Sequence, residues 1–321
     1  MKVRVWGSRG SLPVALSAAG VRGKIKAALT AARGRTLADD NAVDKFITED
    51  LPWETSNTFG GNSSCVQIDA GGAEYILCDL GSGLREFGVH MLAQHGPAKP
   101  QTYNVFLSHL HWDHIMGFPF FTPAYIKGNH IRIHACHPDP EAAFRRQQSA
   151  PCFPVGLDML GAKIEFIVMQ PGTPITVAGS TVTAMKQYHE GDSFGYRFER
   201  KGKAIVYSTD SEHKQENKSE TQSFVDFFRN ADLVIFDAMY SLADAISLKQ
   251  DWGHSSNIVG VELCRMAGVK HLMLFHHEPV YDDAMLRRIL QETIRYEELE
   301  RGGEGPALTI SSAYDGLELD V

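Results

Sequence analysis

Ser108-His109-Leu110-His111-Trp112-Asp113-His114 is the stretch on which the rest of the chain turns. Three histidines and an aspartate fall within six residues, directly after the apolar run 103–107, whose β-branched and aromatic content predicts a strand. Imidazole and carboxylate together are the donor set that borderline-hard cations take. If 109–114 turns into a helix, His109 and His111 face one cation while Asp113 and His114 face a second, at the roughly 3.5–4 Å spacing of two-metal sites. Each cation then needs donors from elsewhere, and isolated candidates stand after other predicted strands: His189, Asp210 and His276.

Working outward, short strand-like runs recur at 3–6, 65–69, 75–78, 131–135, 164–169, 181–186, 204–207, 233–236, 271–275 and 308–311. Helical patterns occupy 223–230, 256–267 and 282–300, so a sheet-rich core with helices outside it is expected. Residues 14–52 break the pattern. They are Ala-rich, basic in the first part (Arg22, Lys24, Lys26, Arg33, Arg35) and acidic in the second (Asp39, Asp40, Asp44, Glu49, Asp50), and read as a helical insertion into a single domain spanning 1–321. A solvated surface pair of helices is the plain reading of that insertion; a substrate cap or dimer contact is the sharper one. Residues 145–160, with Pro151, Phe153, Pro154 and Gly156, read as a long loop able to overhang a site.

The chain has 321 residues and a net charge of -8, which disfavours a long nucleic-acid backbone as partner while leaving room for a small anion at a metal site. Its five cysteines are scattered without a C-x-x-C pair, so reduced thiols are expected rather than a disulfide framework. The N-terminus runs straight into a predicted strand and no long uncharged apolar run occurs; a soluble cytoplasmic protein with no membrane partner is the expectation.

H-x-H-x-D-H after a strand, followed by a lone His, a lone Asp and a final His, resembles the metallo-β-lactamase superfamily. The closer resemblance is to the branch holding ribonuclease Z, the carbon–phosphorus-lyase phosphodiesterase and a group of cyclic-nucleotide phosphodiesterases. It is carried by Trp6-Gly7-Ser8-Arg9-Gly10-Ser11-Leu12-Pro13, Phe59-Gly60-Gly61-Asn62-Ser63-Ser64-Cys65, Asp79-Leu80-Gly81-Ser82-Gly83, Tyr188-His189, Gly195-Tyr196-Arg197, Tyr207-Ser208-Thr209-Asp210, Gly253-His254-Ser255-Ser256 and Phe275-His276-His277. The resemblance implies an α/β (α+β) four-layer αββα sandwich, two mixed β-sheets flanked by helices. It assigns His109, His111 and His189 to one metal, Asp113, His114 and His276 to the other, and Asp210 as the bridge. The cofactor implied is a pair of divalent ions, zinc first, with manganese or iron as alternatives. A shared water, its pKa lowered by both cations, would supply hydroxide for attack.

Asp113 and His254 are the catalytic candidates. His254 resembles the branch's element beside the metals that assists the leaving oxygen; otherwise it would cap the helix beginning near Ser255 or Ser256. His276 and His277 are adjacent, and an extended backbone directs only one of them at a metal; the family pattern favours His276. Asp79 is expected to brace the metal loop through backbone amides. Candidate substrate contacts are Asn62 and Ser63, whose loop exposes amides that suit an anion, Arg197 for phosphate, and Phe153 as a stacking wall. Each has a plain alternative: a tight turn, a strand's polar face and core packing. His134, His137, His213 and His271 lack partners in recognisable spacing and read as ordinary histidines.

The expected function is hydrolysis of a small anionic phosphodiester, with a 3′,5′-cyclic nucleotide foremost, by a dinuclear metal-dependent phosphodiesterase. Transfer-RNA 3′ processing ranks below it, because ribonuclease Z carries a long basic arm between the lone His and the bridging Asp, and only residues 190–209 lie there in this chain. An ester or lactone hydrolase and a non-catalytic metal-holding sensor are the remaining alternatives. A homodimer is left open.

Overall fold

A computed structural model describes residues 1–213, 217–241, 253–303 and 305–321. Strands β1 (Lys2–Gly7), β2 (Cys65–Asp69), β3 (Tyr75–Cys78), β4 (Thr102–Leu107), β5 (His130–Ala135) and β6 (Lys163–Val168) lie side by side in chain order. Strands β7 (Ile175–Val177), β8 (Ser180–Lys186), β9 (Phe194–Arg200), β10 (Lys203–Ser208), β11 (Leu233–Asp237), β12 (His271–Phe275) and β13 (Thr309–Ser312) form a second sheet in chain order, and β14 (Glu318–Asp320) returns to pair with β1. Both sheets follow one plan. From the β14 edge of the first and the β7 edge of the second, three antiparallel pairings are followed by three parallel ones. The two sheets therefore share a pairing pattern, the first completing it with β14 from the far end of the chain.

The period-two alternation of strand side chains separates three apolar layers. Val3, Val5, Phe106, Tyr196, Phe198, Ile205 and Tyr207 pack between the sheets. Tyr103, Val105 and Leu107 point the other way, onto α4 (Gly83–His95) and the rings of Phe118, Phe121 and Phe144. Val206, Val234, Phe236 and Leu272 pack outward on the second sheet against α7 (Lys218–Phe228), α8 (Asn257–Met266) and α9 (Asp283–Arg301). This is the expected αββα sandwich.

The remaining helices are α1 (Ala18–Ala31), α2 (Asp40–Lys45) and α3 (Trp53–Ser56) in the insertion, α5 (Trp112–Ile115) in the metal loop, and α6 (Pro140–Gln147). α4 went unpredicted because Gly81-Ser82-Gly83 reads as a turn. A Cβ at Gly83 would stand 2.4 Å from the Trp6 carbonyl oxygen, so close packing of this helix start on β1 requires the glycine. α7 starts at Lys218, ahead of the expected 223, because Asn217 accepts from the Glu220 amide and caps it. The expected 145–160 loop is shortened by α6 and a 3-10 turn at Leu157–Met159. Among the described residues, no helix is long and apolar enough to cross a membrane.

Candidate metal centre

The C-terminal ends of parallel strands in both sheets converge on one point, where an α/β architecture leaves side chains unpaired. β4 delivers His109, His111, Asp113 and His114; β10 delivers Asp210; β12 delivers His276; and His189 follows β8. Asp79, Asp210 and His276 all adopt left-handed backbone conformations (φ 60°, 43° and 60°) at the step from strand to loop. For non-glycine residues such a conformation costs on the order of 1–3 kcal/mol and persists where surrounding contacts impose it.

Asp210 sits at the centre of the arrangement. Its Oδ1 lies 3.3 Å from His114 Nε2 and 3.2 Å from His276 Nε2, and its Oδ2 lies 3.6 Å from His109 Nε2 and 3.8 Å from His189 Nε2. Asp113 Oδ2 closes the first group, 3.1 Å from His114 Nε2 and 3.3 Å from His276 Nε2. His111 Nδ1 closes the second, 3.2 Å from His189 Nε2. The donor atoms thus divide into Asp113, His114, Asp210 and His276 on one side and His109, His111 and His189 on the other.

Several contacts turn donor atoms toward one another in the way a cation between them would accommodate. His114 Nδ1 lies 2.7 Å from Asp79 Oδ2, which leaves its Nε2 for the cluster, 3.3 Å from His276 Nε2. His189 Nδ1 donates to the Gly253 carbonyl at 2.8 Å, which likewise turns a lone pair of Nε2 toward His111. His109 Nε2 is fully buried without a hydrogen-bond partner. Separations near 3.3 Å are the edges of a tetrahedron whose ligand bonds are about 2.0–2.1 Å. The residues present therefore fit divalent cations.

The electrostatics agree. Burial alone would raise the Asp113 and Asp210 carboxyls, but His114 and His276 hold both well below the usual range, so both are anionic at neutral pH. Burial pushes His109 down and keeps it neutral, as a ligand must be. His114 is driven up against its own burial by Asp113, Asp210 and Asp79, a measure of how strongly this point attracts positive charge.

A bracing shell surrounds the donors. Asp79 Oδ1 accepts from the Ser108 amide, as expected, but Oδ2 also accepts from Ser108 Oγ, His114 Nδ1 and Tyr207 Oη, each at 2.7 Å. Of the adjacent pair, His276 enters the cluster. His277 Nε2 donates to the Ala313 carbonyl at 2.9 Å, and burial pushes its pKa down to about 3.

His254 stacks at 5.2 Å on His276 and lies 5.0 Å from the ring of His189. It does not cap α8; Ser256 does, accepting from the Val259 amide. Its Nδ1 is 2.9 Å from Asp237 Oδ2, which leaves Nε2 for the cluster side. Asp237, the last residue of β11, was missed. The signal was present as an acidic residue ending an apolar strand, the same signature as Asp79.

The expected substrate contacts fare differently. Ser63 is fully buried, and its hydroxyl donates to the Asp113 carbonyl and accepts from the Ser82 amide, so it braces the metal loop. The amides of Gly61 and Asn62 both bond Asp315 Oδ2 at 2.9 Å, so the chain's own carboxylate takes the place foreseen for an anion. Arg197 projects from β9 onto the C-terminal end of α7, donating to the Phe227 and Arg229 carbonyls and to Glu199, because its neighbours Tyr196 and Phe198 occupy the inter-sheet face. Phe153 meets the exposed Phe120 edge-on at 5.7 Å, whereas Phe118 and Phe121 are core. His134 stacks on Phe106, His137 bonds the Gly191 carbonyl, His213 packs on Phe224 and Phe236, and His271 bonds Ser311; none joins the cluster.

Residues 74–277 match the family described as the beta-lactamase superfamily domain. The chain belongs to the metallo-β-lactamase superfamily. A probable metallo-hydrolase, YhfI of Bacillus subtilis (strain 168), is 28% identical over 120 residues, 36% of this chain and 45% of that protein. Ribonuclease Z of Thermoplasma volcanium is 33% identical over 107 residues, 31% of this chain and 32% of its own. The matched part thus spans less than half of either relative. Among solved structures, YhfI superposes with a TM-score of 0.63 at 19% identity, covering 99% of this chain and 98% of that one. A diphosphatase from the PhnP family does so at 0.60 and 18% identity, covering 100% and 97%. Both likenesses concern the fold. Family and donor set together describe a metallo-hydrolase-type chain with a His/Asp cluster compatible with divalent metal binding.

Proposed function

We propose that this protein is a two-metal phosphodiesterase acting on a small anionic phosphodiester, with a 3′,5′-cyclic nucleotide as the leading candidate. The observation that carries the reading is the division of Asp210, one oxygen toward each group of histidines, with the His254–Asp237 pair alongside. His109, His111 and His189 would hold one ion and Asp113, His114 and His276 the other, with Asp210 shared; zinc suits these donors, as do manganese and iron. When bound, such a pair supplies Lewis acidity toward a phosphoryl oxygen and lowers the pKa of water at the site.

The chain's own residues supply the rest. The Ser11 amide, donating to Asp113 Oδ2 at 2.8 Å, orients this carboxylate toward the cluster. His254 takes the role of general acid. Burial lowers its pKa, but the Asp237 carboxylate outweighs burial and pushes it up to about 9; with Nδ1 held by Asp237, Nε2 is the atom from which a proton would pass to the departing alkoxide. A hairpin of β9 and β10 joins His189 to Asp210 where ribonuclease Z resemblance calls for a basic arm, which supports a small substrate over transfer RNA. Five free cysteines suit a reducing compartment, and we place the protein in the cytoplasm.

The experiment is a substrate panel on the metal-loaded protein: bis(p-nitrophenyl) phosphate, cyclic AMP, a lactone and a precursor transfer RNA. Turnover of the first two, lost on chelation, is expected. Cleavage of precursor transfer RNA or of the lactone with both phosphodiesters untouched would overturn the reading.

A further inference from the structure

Arg9 carries a charge into the protein without a carboxylate at salt-bridge distance among the described residues. Only 3% of the residue is exposed. Its Nε donates to the Gly60 carbonyl at 3.0 Å, and Nη1 donates to the carbonyls of Tyr281 at 2.8 Å and Glu278 at 3.3 Å. Burial pulls its pKa down, and Asp283, Asp315 and Asp282 oppose burial from further away. The remaining arm, Nη2, meets no acceptor among the described residues and is not closed off from solvent. A guanidinium presents its donors as a planar fork, so this arm is left for an acceptor from outside.

Arg9 lines a cavity of about 720 Å³ between α1 and the 279–284 segment. That is the size of a small-molecule site, roughly 300–1,000 Å³. Asp283 and Ala284, the first residues of the 19-residue α9, line it too. Their amides have no hydrogen-bond partner among the described residues, since Asp282 caps the Met285 amide. Unpaired amides at a helix start favour negative charge. The Asp283 carboxylate is already engaged: Oδ1 accepts from the Phe59 amide and Thr58 Oγ1, and Oδ2 pairs with Lys24 Nζ at 2.7 Å.

The rest of the wall narrows the choice of anion. Glu54 and Asp282 line the cavity without a cationic partner among the described residues, so one negative charge is accommodated at Arg9 and a second is repelled. Val14, Leu16 and Val280 are apolar, and the last two are 46% and 79% exposed, which gives a hydrocarbon chain a surface to cover. Neither His254 nor any of the seven metal donors lines the cavity. Residues 9–11 stand between the two places. The Arg9 side chain turns to the cavity, whereas Gly10 abuts the His276 ring and the Ser11 amide bonds Asp113.

We infer that this cavity is a binding site, distinct from the metal centre, for a small monocarboxylate with an apolar chain. Its head group sits on Arg9 Nη2 beside the first turn of α9, and its chain lies against Val14, Leu16 and Val280.

The test is equilibrium dialysis of the metal-loaded full chain against radiolabelled hexanoate, with inorganic phosphate and hexylamine as competitors. One hexanoate per chain is expected, held equally well after chelation and displaced by neither competitor. Ala284→Glu places a carboxylate at an exposed position in the first turn of α9, where it suits the helix. It is expected to hold hexanoate roughly tenfold or more weakly, with unchanged hydrolysis. Arg9→Lys keeps the charge but lacks the free arm and is expected to lose as much. Arg9 also ties three backbone carbonyls, so the Ala284 variant decides the matter if Arg9→Lys fails to fold. Hexanoate binding that disappears with the metal would place the anion at the metal centre and overturn the inference. So would displacement by phosphate or hexylamine, an affinity in Ala284→Glu equal to wild type, or no uptake of hexanoate at all.

Discussion

His254 and Asp237 are joined Nδ1 to Oδ2 at 2.9 Å, and this pair borders the donor cluster, His254 within reach of His189 and Asp210 and both members within reach of His276. Removing His254 should separate chemistry from metal binding. His254→Ala is expected to keep the wild-type metal content, measured by atomic emission, and to lose roughly 100- to 10,000-fold in kcat on a phosphodiester with a poor leaving group. The loss should be smaller on bis(p-nitrophenyl) phosphate, whose leaving group needs no proton. Equal losses on both substrates would deny His254 the acid's role.

His109→Ala should behave in the opposite way. Its Nδ1 is held by Ser108 Oγ at 3.0 Å, and its Nε2 is buried with no hydrogen-bond partner, which leaves that atom for a cation. Metal content and activity are expected to fall together, with the secondary structure retained by circular dichroism. A variant retaining both ions would remove His109 from the donor set.

Gly10 supplies a steric test. A Cβ there would stand 2.6 Å from the His276 ring, so Gly10→Ala must displace that imidazole or its own loop. Weakened metal retention against a chelator is expected, with little change in the melting temperature of the metal-free protein. Unaltered retention would show that the loop yields and His276 keeps its place.

Tyr207 donates to Asp79, which in turn holds His114 Nδ1. Loss of such an outer contact costs roughly 10- to 100-fold in metal affinity, and Tyr207→Phe is expected to fall in that range in a competition titration. An affinity equal to wild type would show that Asp79 orients His114 without help.

Asp315 gives a pH dependence. Burial pushes its carboxyl up to about 6, against the amides of Gly61 and Asn62 and the nearby Arg9, which pull it down. The folded chain thus keeps a proton that the unfolded chain releases near pH 4. Stability carried by that proton is present below about pH 4 and is lost as pH rises through about 6. Relative to Asp315→Asn, wild type should therefore lose stability across this window in denaturant titrations. Parallel curves for the two proteins would contradict the shift.

Much of the cluster was legible because histidine and aspartate are expensive to bury without partners. Histidines and aspartates following apolar strands, at 109–114, 189, 210 and 276, have few structural uses. The topology placed them together as expected. Asp237 escaped because an acidic strand end is ordinary by itself, and only the approach of the 253–254 segment, distant in sequence, gives it a partner. Ser63, Asn62 and Arg197 were ambiguous for a related reason. Small polar loops and strand arginines can serve either a ligand or the protein's own backbone, and in the structure they contact Asp113, Asp315 and α7. α4 was hidden by glycines that serve packing.

The central claim is that two cations, held by seven side chains, work as one unit. Its most direct test is to add metal stepwise to the chelated, metal-free protein while following bis(p-nitrophenyl) phosphate hydrolysis. Activity that rises and levels off at two equivalents per chain is the predicted result. A plateau at one equivalent, or no activity at any ratio, would contradict it.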